Sequence, residues 1–183
     1  MIDLVFAHPY PKRSRANRIL LNAVRDISNL DVRSLYDIYP DFGIDVESEQ
    51  AALLSAKLVV WQHPLYWYTA PGLMKHWFDK VLARGWAYGE GGSALHGKLC
   101  QWVVTTGGDQ EAYSATGMHA FNFESFVPVM RQTAEFCGMK WLEPIVVHNA
   151  HRVSDKELHA VGRDYRKKLI SLATEAQELV VHG

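Results

Sequence analysis

The stretch Leu58-Val59-Val60-Trp61-Gln62-His63-Pro64-Leu65-Tyr66-Trp67-Tyr68 decides how the chain folds. Four apolar residues give way to a polar turn and a proline, then to three aromatics, and after Pro71 a helical pattern begins. This succession predicts a buried strand over residues 58–61 that opens into a surface loop at its carboxyl end. Two further stretches share the design, Leu4-Val5-Phe6-Ala7-His8-Pro9 and Trp102-Val103-Val104-Thr105-Thr106-Gly107-Gly108. If the three strands are parallel neighbours, their loops converge on one crevice, where open α/β sheets bind ligands at a topological switch point. That crevice is the expected functional site.

Toward the amino terminus, residues 2–7 read as a short apolar strand. After the turn His8-Pro9-Tyr10-Pro11, a helix carries Ala16, Ile19, Leu20, Ala23, Val24 and Ile27 on one face. Val32-Arg33-Ser34-Leu35-Tyr36 reads as a second strand, residues 39–43 as a loop and residues 46–54 as a short helix. Beyond the central stretch, Leu73, Met74, Trp77, Phe78, Val81 and Leu82 recur at core spacing in a helix. The glycine-rich loop over residues 85–92 follows, too aromatic for a plain linker, and then strand four over residues 99–105. Residues 107–123 show little period, and so long an irregular segment inside a compact domain is usually functional or disordered. A helix with Phe126, Val129, Met130, Thr133 and Cys137 on one face leads to strand five over residues 144–148. Ser154-Asp155-Lys156-Glu157 has the spacing of a capping box and opens a last helix with Leu158, Val161, Tyr165, Leu169 and Leu172 inward. Strand and helix alternate five times without repeat or linker. This predicts one α/β domain over residues 1–183, a three-layer αβα sandwich on a five-stranded parallel sheet. A flavodoxin-like strand order, 2-1-3-4-5, is the simplest arrangement.

At 183 residues the chain can bury about 70% of its unfolded surface and fold without staples. Nineteen Lys and Arg balance twenty Asp and Glu, and no basic block or arm suggests a phosphate-backbone binder, so nucleic acid is not expected. No cationic leader precedes an apolar run, and no stretch approaches the roughly 20 apolar residues that span a bilayer, so a cytoplasmic protein is expected. Cys100 and Cys137 have no C-x-x-C spacing and read as buried apolar filler. His148, His151 and His159 lack carboxylate or Cys partners at ligand spacing, so no metal site is expected.

The first strand–helix turn has neither G-x-G-x-x-G nor G-x-x-x-x-G-K, which excludes the common dinucleotide and P-loop readings. It offers Ser14-Arg15-Ala16-Asn17 at the start of a helix, where free N–H groups and partial positive charge suit a phosphate. For this turn alone, an ordinary N-cap at Ser14 is the plainer reading. Pro64 to Tyr68 supply an apolar wall, and Thr105-Thr106-Gly107-Gly108 supply backbone N–H groups at glycines that permit close approach. A flat heteroaromatic ring needs both. Core packing is the alternative for the aromatics, but Pro64 and Pro71 bracket them in what should be a surface loop. His63 lies in the same loop, within reach of a ligand, and His76 falls on the exposed side of its helix.

Ala7-His8-Pro9, Ser14 to Asn17, His63-Pro64-Leu65-Tyr66-Trp67-Tyr68 with Pro71, Trp77 and Asp79-Lys80-Val81, and Thr105-Thr106-Gly107-Gly108 together resemble the NAD(P)H:quinone oxidoreductase family of DT-diaphorase-like, flavodoxin-fold proteins. The motifs recur in order from residue 1 to about the final helix. Ser34-Leu35-Tyr36, Tyr39-Pro40-Asp41-Phe42 and residues 89–98 look like the short bacterial branch that includes ancillary proteins of glutathione-regulated potassium efflux antiporters.

The resemblance implies a flavin site. His8, Ser14, Arg15, Ala16 and Asn17 would surround the phosphate; Pro64, Leu65, Tyr66, Trp67 and Tyr68, with Thr105, Thr106, Gly107 and Gly108, would surround the isoalloxazine. FMN is expected rather than FAD, whose users in the family are generally longer at the carboxyl terminus. Tyr113 and His119 resemble the family's Tyr/His pair, which supports charge developing on the reduced flavin, and this gives them a catalytic reading. Without the resemblance both would read as solvated loop residues. The implied reaction is two-electron, ping-pong hydride transfer from NAD(P)H through the flavin to a quinone, in a homodimer whose pockets lie at the interface and draw on residues 85–92 and 107–123 of the facing subunit. The alternative is an ancillary regulatory subunit of a potassium efflux antiporter, held peripherally at the inner membrane by its partner. An electron-transfer flavodoxin fits less well, since it would normally show an acidic surface and a Ser/Thr-rich phosphate loop and this chain is near neutral.

Overall fold

The computed structural model describes residues 1–181. Five strands, β1 (Ile2–Phe6), β2 (Leu30–Ser34), β3 (Leu58–Pro64), β4 (Leu99–Thr105) and β5 (Lys140–Val147), form one parallel sheet in the order β2-β1-β3-β4-β5. The helices are α1 (Arg15–Val24), α2 (Leu35–Ile38), α3 (Val46–Ser55), α4 (Gly72–Val81), α5 (Val127–Phe136) and α6 (Asp155–Val181). This is the flavodoxin-like fold with the expected strand order.

Alternate residues of the central strands feed two separate cores, because both faces of a parallel sheet are covered. Ile2, Leu4 and Phe6 with Leu58 and Val60 pack under α1 and α6 through Leu20, Val24, Leu158 and Tyr165. Val5, Val59, Trp61 and Trp102 pack on the other side with Leu53 of α3, Trp77 of α4 and Met130 of α5. On the first side Gly162 permits close helix packing, since a Cβ there would stand 2.9 Å from the Ala23 methyl. The capping box forms as expected: the Glu157 N–H donates to Ser154 Oγ at 3.2 Å and the Ser154 N–H to Glu157 Oε2 at 3.0 Å. Cys100 and Cys137 are buried thiols.

Three boundaries differ from expectation. The second strand begins at Leu30 and ends at Ser34, and residues 35–38 turn into α2, where the Ser34 hydroxyl donates to Asp37 and Leu35 is buried. β3 runs through Gln62 and His63 to Pro64 rather than ending at Trp61. β5 starts at Lys140, four residues before the apolar run, because it is an edge strand that tolerates exposed Lys140 and Glu143. Pro144 sits beside a register shift between Gln101 and Val103, where a missing N–H is tolerated. The Gln101 side chain donates to the Glu143 carbonyl there, at 2.9 Å.

A buried carboxylate ties the α2–α4 side together. Glu49 accepts from Arg33 Nε at 2.8 Å, Arg33 Nη2 at 2.5 Å, the Tyr39 hydroxyl at 2.6 Å and the Trp77 indole at 2.8 Å. The order of β1 and β3 places the switch point between them, since α1 and α4, the helices that follow these two strands, lie on opposite faces of the sheet.

Candidate functional site

A cavity of about 430 Å³, within the usual range for a small-molecule site, opens beyond the carboxyl ends of β1, β3 and β4. His8, Ser14, Arg15, Ala16 and Asn17 line one end; Pro64, Leu65, Tyr66, Thr105, Thr106 and Gly107 line the rest. Tyr10, Arg13, Ala150 and His151 complete the lining. No sequence pattern singled these four out, and only their place after a strand end could have done so.

The strand tips are fastened to one another. The Ala7 N–H donates to the Gln62 carbonyl at 3.0 Å, Leu65 N–H to the Thr105 carbonyl at 2.8 Å, and Asn17 Nδ2 to Thr105 Oγ1 at 2.9 Å. Asn17 Oδ1 is buried without a partner among the described residues. At the start of α1, Ser14 is the N-cap residue, yet its side chain makes no capping bond, which leaves the hydroxyl free. His8 Nδ1 accepts the Tyr10 N–H at 3.0 Å, and burial holds the imidazole below its usual range. The neutral ring therefore carries its proton on Nε2 as a donor. Arg15 lines the cavity, but its guanidinium is engaged at the start of α6, with the Asp155 carboxylate and the Val153 carbonyl. Helix N–H groups, Ser14, His8 and Arg13 remain as the positive and donor groups of that end.

The aromatic loop divides. Tyr66 faces the cavity, whereas Trp67 and Tyr68 occupy a tight turn closed by the Thr69 N–H to the Tyr66 carbonyl, both with positive φ (48° and 64°). Such backbone is costly for aromatic residues and persists where the surroundings impose it. Trp67 stands 90% exposed at the tip, outside the cavity. Tyr68 stacks on Phe126 and reaches the His119 ring, with its hydroxyl 3.4 Å from Nδ1.

Tyr113 and His119 come together from an otherwise irregular segment, stacked with ring centroids 4.3 Å apart. The His119 N–H bonds to the Ala112 carbonyl, which closes the loop that makes the pair. Gly108 is their floor: a Cβ there would lie 3.0 Å from His119 Nε2 and 3.2 Å from Tyr113 Cε2. Burial raises the Tyr113 phenol, which keeps it a proton donor.

His63 is a correction. It is fully buried, donates Nδ1–H to the Pro64 carbonyl at 2.9 Å and accepts the Trp102 indole N–H on Nε2 at 2.9 Å. Burial lowers it to about 4. It is a neutral core residue with no nitrogen left for a ligand.

The flavodoxin-like fold family matches residues 2–169. The glutathione-regulated potassium-efflux system ancillary protein KefF of Salmonella typhimurium is 47% identical over 171 residues, 93% of this chain and 96% of that protein. General stress protein 14 of Treponema denticola, a structure solved in complex with FMN, is 33% identical with a TM-score of 0.86 over 93% of this chain and 98% of that one. An NADPH-quinone reductase structure from P. pentosaceus is 27% identical with a TM-score of 0.82 over 92% and 96%. Model match, fold and graded identity agree, and the chain belongs to the flavodoxin-like NAD(P)H quinone reductase family.

Proposed function

We propose that this protein is an FMN-dependent NAD(P)H:quinone oxidoreductase. The observation that carries the reading is the meeting of three strand tips at one cavity, with the start of α1 at one end and Gly107 at the other; the stacked Tyr113/His119 pair lies outside the lining, packed against the next residue, Gly108. The residues fit FMN on their own chemistry. A phosphate suits the free N–H groups, the unengaged Ser14 hydroxyl and the His8 Nε2–H, while the orphaned Asn17 Oδ1 can accept from a ribityl hydroxyl. The FMN-bound relative supports the same assignment.

When bound, FMN supplies the two-electron hydride chemistry. The chain's own groups bind and polarise. Gly107 and Gly108 would let backbone N–H groups approach a ring edge, Leu65 and Tyr66 would wall the ring, and Tyr113 and His119, packed against Gly108, would be the side-chain donors nearest that edge. His119, whose Nε2 faces Gly108, would be the group to hold and return a proton there. Trp67 and Tyr68, displayed outside the cavity, would flank the entry of nicotinamide and then of quinone.

Steady-state reduction of a quinone by NADH or NADPH tests this. Wild-type protein is expected to turn over with ping-pong kinetics, and Tyr113→Phe with His119→Ala to lose most of kcat while retaining FMN; undiminished turnover in that double variant sinks the role given to the pair.

The relationship to KefF favours a second reading, an ancillary subunit that docks on a cytoplasmic domain of a potassium efflux antiporter and is held at the membrane by that contact. No helix among the described residues is long and apolar enough to cross a membrane itself. A homodimer is the assembly we infer, because Val129 and Phe136 expose apolar surface along the α4–α5 groove, and Trp67, Met118 and Phe121 are exposed as well. Copurification of the antiporter with this chain supports the second reading; its absence from membranes rich in that antiporter argues against it.

A further inference from the structure

We propose that His148, by donating Nδ1–H to Thr106, is a positioning residue that locks the Thr106–Gly108 turn in its ligand-binding conformation. The proposal rests on the reading of the cavity as a flavin site.

The backbone of the turn is fastened to the chain that continues from β5. The Thr106 N–H donates to the Val147 carbonyl at 2.9 Å, the Ala150 N–H to the Thr106 carbonyl at 2.9 Å, and the Asn149 N–H to the Gly108 carbonyl at 2.8 Å. His148 lies at the centre of this patch. Thr106 Oγ1 stands 2.7 Å from the Gly108 carbonyl oxygen and 3.0 Å from His148 Nδ1.

A hydroxyl has one proton, and a carbonyl oxygen only accepts. If that proton pointed at His148, two oxygens with facing lone pairs would be left at 2.7 Å. The Thr106 proton therefore goes to Gly108, and His148 supplies Nδ1–H to the hydroxyl oxygen. Thr106 is 1% exposed, so no solvent competes for either bond, and the Tyr113 phenol beside it, kept protonated by burial, can join only as a second donor to the same hydroxyl oxygen. Burial keeps the His148 ring neutral against the opposing pull of Glu124 and Asp109, which leaves Nδ1 as the bearer of its single proton.

Two consequences follow for the site. The Gly108 carbonyl receives two donors and stays turned toward the β5 side, and the N–H groups of Gly107 and Gly108 have no hydrogen-bond partner among the described residues. They are the donors left for a ring edge. The same imidazole also lies 5.7 Å from the Tyr113 ring and edge-on to Phe123 at 5.4 Å, so it braces one member of the reactive pair.

Nitrogen-15 NMR of the histidine side chains in the flavin-free protein reads the tautomer, and FMN titration of His148→Asn and His148→Leu reads the lock. The Nδ1–H form is expected for His148. Leu removes the donor and should weaken FMN binding about three- to tenfold, the worth of one hydrogen bond. Asn returns an N–H donor near the Nδ1 position and should restore most of that affinity and the wild-type absorption spectrum of the bound flavin. An Nε2–H tautomer, or Leu and Asn variants that bind FMN alike, overturns the lock and leaves the flavin reading standing. Wild-type protein that does not bind FMN overturns the flavin reading, while the tautomer still decides the lock. If His148→Leu fails to fold, the tautomer and the Asn variant carry the decision.

Discussion

Asp3 is 1% exposed on β1, and neither of its carboxylate oxygens has a partner among the described residues. Burial, then the nearby Glu49 and Asp31, outweigh Arg33 and push its pKa up to about 7. Since the folded value lies above the ordinary one, Asp3 contributes full stability below about pH 4, and that contribution is lost as pH rises through 7. Asp3→Asn should therefore raise unfolding free energy at pH 8 by about 1–3 kcal/mol and remove this slope. Urea unfolding at pH 5 and pH 8 measures it; no gain at pH 8 contradicts the burial cost.

His63 behaves in the opposite sense: its folded value of about 4 lies below the usual histidine range, so stability present above pH 6.5 falls away between 6.5 and 4. The same titration should show an acid loss of about 3 kcal/mol at most from this group. The sequence placed His63 in the crevice because a histidine before a proline at a strand end looks like loop. Trp102, 39 residues distant, supplies the indole donor that makes it core, and no local pattern reveals that partner. Arg15 likewise reads as a phosphate ligand until Asp155, remote in sequence, takes its guanidinium. The Tyr113/His119 pair was legible only by family resemblance, because its stacking depends on the floor at Gly108. Gly108→Ala should push both rings aside and slow quinone reduction about tenfold to a hundredfold while FMN stays bound. Unchanged kcat in that variant would deny the pair its close approach.

The strands that read clearly are those buried on both faces, β1, β3 and β4, whose unbroken apolar runs have no other explanation. Edge elements were harder to read. β5 mixes Lys140 and Glu143 with apolar residues because water covers one edge, and residues 34–38 alternate like a strand although the Ser34–Asp37 hydrogen bond folds them into a helical turn. The Glu49 tie was invisible for a different reason, since its four donor groups come from three residues on separate elements. Glu49→Ala strands Arg33 and the Tyr39 and Trp77 donors in a buried setting. Thermal or urea unfolding should show a loss of about 3–5 kcal/mol, and a loss below 1 kcal/mol would mean that water replaces the carboxylate. Between α1 and α6, Gly162→Val should force the helices apart at Ala23 and cost about 1–3 kcal/mol.

Strand order turns these local features into a site. With β1 between β2 and β3, the chain reverses its direction of winding beside β1, and the loops after β1, β3 and β4 have nowhere to meet except over one crevice. The phosphate end, the aromatic wall and the glycine turn follow from that topology rather than from any single motif. A fluorescence titration with FMN and, in parallel, with riboflavin separates the cavity's two ends in one measurement. Tight, stoichiometric quenching by FMN with markedly weaker binding of riboflavin is the expected result, because the start of α1, Ser14 and His8 act on the phosphate alone. No quenching by FMN, or equal affinity for the two, would contradict it.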